Sequence, residues 1–322
     1  MIFRKTYCKR VVALGEPMTT GKFVWMNGEF VEWEKATVHV LTHALHYGTG
    51  VYEGIRCYNT DYGPGIFRPR EHYERLLSGA KTIRLKPEQS IHELVKVTKE
   101  LIRLNEFREC YVRPIIFFST GGRGLDISNI KTEIAIATWE WGAYLGEEGL
   151  RNGIKCKIAN VKRINRQTMP AGTKVCGNYV NSVLGKIEAK EGGFDESILL
   201  TTDNKVAECT GENIFIVKKD SISTPDVDSD IVPGITRKSI IEICQNNGLR
   251  IEEREIEVKE LFEADEIFLT GTAAEVTPVR IIDTSEISKT IGPVTKRLQE
   301  EFFAIVRGKR DNYLHWLELV DK

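Results

Sequence analysis

A chain of 322 residues, 41% hydrophobic and 28% charged, is long enough for a large buried core and about two domains. Its formal net charge of −1 gives no global attraction to nucleic acid or to an anionic membrane surface. No apolar run approaches the roughly 18 residues that span a bilayer. Seven scattered cysteines without a CxxC pair argue against a disulfide framework and fit a reducing cytoplasm.

The opening segment MIFRKTYCKRVVALGEP is basic up to Glu16 but lacks the continuous apolar stretch of a secretory signal. Residues 1–19 are therefore expected to form a tail outside the fold, with Met18 as the natural start. FVWMNGEFVEW reads as two strands joined at Asn27-Gly28, because a type I′ turn needs positive φ at both central residues. Apolar spacing predicts a helix from Pro69 to Ile83. A second helix, IHELVKVTKELIRL, is capped by Ser90. YVRPIIFF and EIAIATW read as strands, and the glycine-rich WGAYLGEEGLRNG as a connection between domains.

The second half opens with the strand GIKCKIANV. A helix is expected from Tyr179 to Lys190, ended by Gly192-Gly193. SILLTT, KVAE and NIFIVK read as short strands, with Asp203-Asn204 at a hairpin tip. PGITRKSIIEICQNNG predicts a helix with Ile240, Ile241 and Ile243 on its buried face and Gly248 closing it. EIFLTGTAAEV reads as a strand running into a glycine turn. PVTKRLQEEFFAIVRG is the last long helix, with Pro293 at its start. Strands and helices mix in both halves, which predicts an α/β (α+β) fold of two domains.

Several familiar signals are incomplete. GGRGLD lacks the third glycine of a dinucleotide fingerprint, and neither a GxxxxGK[ST] loop nor a GxSxG elbow occurs. His39, His43 and His46 stand at helical spacing without the carboxylate of an HExxH site, so they are read as structural and no metal is expected. A nicotinamide-dependent dehydrogenase is disfavoured on the same glycine count.

Chemistry concentrates in PAGTKVCGNYVNS. Lys174 sits among Gly172, Thr173 and Gly177, where a planar cofactor could approach the backbone closely. Lysine forms Schiff bases with carbonyl cofactors, and burial can ease loss of its proton. Alone, a lysine in such a turn is ordinarily a surface residue. VAECTGENIFIV adds Glu208 at a strand end. VPGITRKSI sets Ile235 and Thr236 in the first turn of a helix, where free N–H groups bind phosphate. TGTAAE supplies another turn with a hydroxyl and exposed amides. An aldehyde partner, a partner for a pyridine nitrogen and a phosphate cradle together match pyridoxal phosphate.

From about Phe23 to Leu317 the sequence resembles the branched-chain aminotransferases, which are fold-type-IV pyridoxal-phosphate enzymes. The motifs that carry the likeness are HALHYGTGVYEGIRCY, FRPREHYERLLSGAK, YVRPIIF, WGAYLG, GTKVCGNYVNS, AECTGENIF, PGITRKSI and TGTAAEVTPVR. The resemblance implies a small α/β domain over 20–145, a linker over 146–152 and a large cofactor-binding domain over 153–322, with the active site between them. It makes Lys174 the Schiff-base lysine and proton shuttle. Tyr179 would meet the phenolic oxygen of the cofactor and Glu208 its pyridine nitrogen. Arg75, Ile235, Thr236 and Thr272 would hold its phosphate. The amides of Thr272 and Ala273, with Tyr111, would hold the substrate α-carboxylate. Tyr47, Tyr52, Trp141 and Tyr144 would line the side-chain pocket, Arg113 would reach the distal carboxylate of glutamate, and Leu125 would lean in from a partner subunit.

The implied activity is ping-pong transamination between leucine, isoleucine or valine and 2-oxoglutarate. The implied assembly is at least a homodimer, with a hexamer as the larger option, and neither nucleic acid nor membrane is a partner. Tyr52 stands where the family commonly has phenylalanine, and Val175-Cys176 where smaller residues are commoner. GGRGLDIS departs further. A D-amino-acid aminotransferase or an aminodeoxychorismate lyase of the same fold is the nearest alternative, and a noncatalytic scaffold a more distant one. Each aromatic, Arg113 and Glu208 could singly be an ordinary core or turn residue. Their joint occurrence in order favours a site.

Overall fold

The structure is a computed structural model that describes residues 19–122, 124–142 and 144–321. The expected tail thus lies outside the described residues up to Met18. Thr19 already belongs to the body, since its carbonyl accepts the amide of Glu140, and Thr20 bridges to Trp139.

The first half folds into β1 (Phe23–Met26), β2 (Glu29–Glu32), β3 (Gly50–Tyr52), β4 (Ile55–Thr60), β5 (Gly63–Phe67), β6 (Cys110–Phe118) and β7 (Thr132–Trp139). The β1–β2 hairpin turns at Asn27 and Gly28, whose φ values of 52° and 102° are those the dipeptide predicts. The second half folds into β8 (Ile154–Ile158), β9 (Glu196–Leu200), β10 (Val206–Cys209), β11 (Asn213–Lys218), β12 (Ser221–Thr224), β13 (Arg250–Glu253), β14 (Glu266–Gly271), β15 (Glu275–Ile282) and β16 (Ser285–Glu286). Their main order is β10-β9-β8-β15-β14-β11-β12-β13, with parallel pairs at β9–β8, β8–β15 and β12–β13. The last strand, β17 (Leu317–Leu319), crosses back and pairs with β5, so the first sheet runs β17-β5-β4-β6-β7-β1-β2 with β3 beside β6. Every pair in that first sheet is antiparallel among the described residues.

Helices cover both sheets: α1 (His43–Tyr47), α2 (Pro69–Thr82), α3 (Ile91–Leu104), α4 (Glu147–Asn152), α5 (Tyr179–Glu191), α6 (Ile235–Asn246), α7 (Val258–Glu263) and α8 (Pro293–Val306). At the start of α3, Ser90 and Glu93 exchange side-chain to backbone hydrogen bonds in a full capping box. Its apolar stripe then buries Leu94, Leu101 and Ile102 against Trp25, Val112 and Ile136 of the first sheet. A second core holds the stacked rings of Phe215 and Phe268 under α6 and α8. It reaches across to Tyr58, Phe67 and Trp316, so apolar packing joins the two halves. The expected connection at 146–152 contains α4 rather than irregular chain, because Glu147 to Asn152 holds no breaker apart from Gly149. None of the helices among the described residues is long and apolar enough to cross a membrane.

β8 and β9 are parallel, so the chain between them must cross over, and Lys174 and α5 lie on that crossover. The crossover is stitched to the edge of the first sheet. Tyr52 N–H donates to the Lys174 carbonyl at 3.1 Å, Val51 bridges to Val175, and Gly177 N–H donates to the Gly48 carbonyl at 3.1 Å. A Cβ on Gly48 would stand 2.7 Å from the Gly177 Cα. Gly48 is the residue that this close approach requires, and the contact fixes the lysine at the seam between the sheets.

Candidate active site

Lys174 opens into a cavity of about 260 Å³ between the two sheets. Its Nζ donates to Tyr179 Oη at 2.7 Å and lies 5.1 Å from the ring centres of Tyr52 and Tyr179. Burial alone would lower the lysine's pKa. Tyr179 and Glu53 outweigh burial and raise it, so the proton is held more tightly than burial by itself implies.

Glu208, near the end of β10, is the buried carboxylate. Arg163 Nε donates to its Oε1 at 2.8 Å, and Asn213 Nδ2 and the Val232 amide both donate to Oε2 at 3.0 Å. Burial still pushes its pKa up, against the pull of Arg163 and of the Val232 amide. The carboxylate thus accepts three protein donors and lines the cavity.

Ile235 and Thr236 open α6. The first amide there to find a helical acceptor is that of Lys238, on the Gly234 carbonyl, so the earlier amides are free for an anion. Arg75, on α2, reaches the same end, with Nη1 donating to the Pro233 carbonyl at 2.7 Å. Its fork is held by Glu53, with Nε–Oε1 at 2.6 Å and Nη2–Oε2 at 2.9 Å, and Glu53 also meets His72 Nδ1 at 2.9 Å. Burial works to raise the Glu53 pKa, but Arg75 and His72 hold it well below the usual carboxylate range. Thr272 and Ala273 form the turn between β14 and β15 and face the cavity.

The opposite wall is aromatic. Tyr111 stacks edge-on with Trp141 at 4.5 Å, and Trp141 with Tyr144 at 5.6 Å. Arg113 lies 4.7 Å from the ring centre of Tyr52, 5.3 Å from Tyr111 and 5.6 Å from Trp139. Its Nε is buried without a hydrogen-bond partner among the described residues, and its Nη2 is a long 3.5 Å from Tyr111 Oη. The guanidinium rests on ring faces and keeps hydrogen-bonding capacity unspent.

The cavity thus gathers the predicted residues except two. Tyr47 is 48% exposed and Leu125 78% exposed, and neither lines the cavity of its own chain. Tyr47 sits on α1, whose His43 ring packs against it at 4.6 Å and meets the Gly124 carbonyl at 3.1 Å. The expected structural role of the histidines is visible there and at His46, which bonds the Val40 carbonyl at 2.8 Å.

Sequence reasoning missed Glu53, His72, Arg163 and Asn213, which hold the predicted residues in place. It also missed Arg56, whose Nη2 donates to the Trp141 carbonyl at 3.0 Å and whose Nη1 reaches the Ala273 carbonyl at 3.5 Å. No local spacing announces such partners. A larger cleft of about 1190 Å³ lies beyond Trp141 and Arg56. It is lined by arginines and glutamates, several of them paired, and holds none of the lysine, carboxylate and helix-end set.

Residues 50–282 match the family model for amino-transferase class IV. The branched-chain-amino-acid aminotransferase of Escherichia coli K12 is 42% identical over 309 residues, which is 95% of this chain and all of that one. A crystal structure of the E. coli branched-chain amino acid aminotransferase superposes with a TM-score of 0.91 at 42% identity, covering 93% of this chain and 99% of that one. The T.th. branched-chain amino acid aminotransferase complexed with N-(5′-phosphopyridoxyl)-L-glutamate gives 0.90 at 42% identity, covering 94% and 99%.

Replacing Arg163 with methionine keeps its bulk and removes its charge, leaving Glu208 buried without its cation. Loss of one member of a buried pair costs about 3–5 kcal/mol. Urea unfolding of Arg163→Met is expected to show a loss of that size, and a loss under about 1 kcal/mol would mean that Glu208 does not depend on the pair.

Proposed function

The chain belongs to the class IV aminotransferases and, within them, to the branched-chain-amino-acid aminotransferases, and we propose that it moves amino groups between L-leucine, L-isoleucine or L-valine and 2-oxoglutarate on pyridoxal phosphate held beside Lys174. The observation that carries this reading is the meeting of an amine, a braced carboxylate and an anion-ready helix start in one cavity. That donor set suits pyridoxal phosphate at three points. Lys174 Nζ would meet its aldehyde, Glu208 its ring nitrogen, and the α6 amides with Thr236, Thr272 and Arg75 its phosphate. Bound there, the cofactor supplies the electron sink for the α-carbon and carries the amino group between the half-reactions.

The chain's own residues do the rest. Lys174 Nζ removes the α-proton of the bound amino acid and returns one in the reverse half. Tyr179 Oη, 2.7 Å away, accepts its hydrogen bond and fixes where it points. The braced Glu208 keeps a proton on the ring nitrogen by charge-assisted hydrogen bonding. The Thr272 and Ala273 amides with Tyr111 Oη hold the α-carboxylate, and Arg56 steadies both the Ala273 turn and Trp141. Tyr52, Trp141 and Tyr144 form the apolar wall for the branched side chain. A D-amino-acid aminotransferase or an aminodeoxychorismate lyase would use the same chemistry. Identity of 42% across 95% of the chain to a branched-chain enzyme favours the first reading.

Self-association belongs to the proposal. Leu41, Leu45, Tyr47, Val180, Val183 and Leu184 are each 48–64% exposed, a set of large apolar side chains that a second copy would cover. Tyr47 and Leu125, outside their own cavity, would then complete the neighbour's side-chain pocket. The cytoplasm is the proposed location, in keeping with six free cysteines among the described residues.

The pocket must take an apolar side chain and then a carboxylate. Arg113 resolves the conflict, because it can rest on Tyr52, Tyr111 and Trp139 for leucine and offer its unspent donors to glutamate. Half-reactions followed by cofactor absorbance are expected to run with L-leucine and L-glutamate and not with D-leucine. Arg113→Met should lower kcat/KM for glutamate about thirty- to a hundredfold more than for leucine. Equal losses would assign Arg113 to a group that both substrates share, and preference for D-leucine would refute the branched-chain reading.

A further inference from the structure

The cavity wall nearest Tyr144 holds a buried charge cluster that none of these roles uses. Glu196 on β9 is 0% exposed, and Glu212, just before β11, is 4% exposed. The cation set against them is Lys186 on α5. Its Nζ lies 2.7 Å from Glu196 Oε2, 2.7 Å from the Asp195 carbonyl and 5.3 Å from the ring centre of Tyr144. Glu196 is fully supplied, since Thr210 Oγ1 donates to its Oε1 at 2.6 Å and the Ser197 amide at 2.7 Å. Glu212 is not. Its carboxylate takes the Gly211 amide at a long 3.2 Å, and it faces the cavity with Tyr144, Lys186, Thr272 and Ala273.

Two carboxylates and one ammonium share a low-dielectric wall, so ionising the second acid leaves a negative charge without compensation. The titratable groups around Glu212 are Glu196, Lys186 and Glu208, with Tyr144, Cys156 and Cys209 also in range. Burial, then the charge of Glu196, pushes the Glu212 carboxyl up to about 8. Burial would lower the Lys186 ammonium, but Glu196 holds it raised, so that cation stays committed to Glu196.

Resting on the reading of this cavity as the substrate pocket, we propose that Glu212 is a specificity-determining residue whose proton sets how well the pocket takes a dicarboxylate relative to an apolar monocarboxylate. With the proton on, the wall is neutral and Arg113 draws the distal carboxylate unopposed. With the proton off, the wall repels the extra charge of 2-oxoglutarate and leaves a branched side chain unaffected. The sign follows directly. Dicarboxylate preference is full on the acid side and is lost as pH rises through the Glu212 titration.

The test is single-turnover reaction of the pyridoxamine-phosphate form with 2-oxoglutarate and, separately, with 4-methyl-2-oxopentanoate, from about pH 6 to about pH 9.5, a range that brackets the Glu212 titration. The ratio of the two kcat/KM values cancels every ionisation that both substrates share. In the native protein the ratio should fall on the order of fivefold as pH rises. Glu212→Gln should hold the ratio flat, and Glu196→Gln should keep the fall but move its midpoint to lower pH, because the like charge is gone. A flat ratio in the native protein overturns the proposal whatever the variants do, and so does an unchanged fall in Glu212→Gln. Absence of reaction with either oxo acid at any pH would overturn both this proposal and the transaminase reading beneath it.

Discussion

The main-chain join between the Lys174 segment and the edge of β3 is the constraint on which the site depends. Tyr52 donates to the Lys174 carbonyl, Val51 bridges Val175, and Gly48 and Gly177 touch backbone to backbone. These contacts tie the crossover of the second sheet to a strand of the first. The Lys174 amine therefore sits on no free loop. It is registered against Tyr52 on one side and Glu208 and α6 on the other. A side chain on Gly48 would part the two backbones and with them the two walls of the cavity.

Around that seam, buried charge is arranged by pairing. Arg75 is forked onto Glu53, which also takes His72, and Arg163 is set on Glu208. Each partner holds a functional group in a chosen orientation at low dielectric, where an unpaired ion would cost several kcal/mol. Among the described residues, Arg113 and Glu212 both line the cavity with bonding capacity left. Arg113 has donors to spare, and Glu212 has a carboxylate with little to stabilise its charge. The proposed acceptance of both an apolar side chain and a carboxylate rests on those two imbalances rather than on the satisfied pairs.

Much of the fold was legible because its signals are local. Asn27-Gly28 states its own turn, Ser90 and Glu93 state their own cap, and Pro293 marks the start of α8. The chemical core of the site was legible from the setting of Lys174, Glu208 and the α6 start, and the family motifs extended it to the aromatic wall. What escaped was non-local. The Glu266 carboxylate on β14 accepts the amides of Val294 and Thr295 and so caps α8 from 28 and 29 residues away. Arg163 reaches Glu208 across 45 positions, and β17 pairs with β5 across most of the chain. No periodicity encodes such pairings, which exist once the sheets have brought distant segments together. Tyr47, expected in the cavity wall, and Leu125, expected to lean in from a partner subunit, both stand outside the cavity of their own chain.

The central claim is that Lys174 Nζ carries the α-proton in this seam. Its most direct measurement is exchange of the α-hydrogen of L-leucine with solvent deuterium, by native protein and by Lys174→Ala, each loaded with pyridoxal phosphate and checked for cofactor content. A well-placed general base contributes about 10²- to 10⁴-fold, so exchange and transamination should both fall by at least about a hundredfold in the variant while the bound cofactor remains. Exchange at close to the native rate without Lys174 would contradict the assignment and move the proton transfer to another group in the cavity.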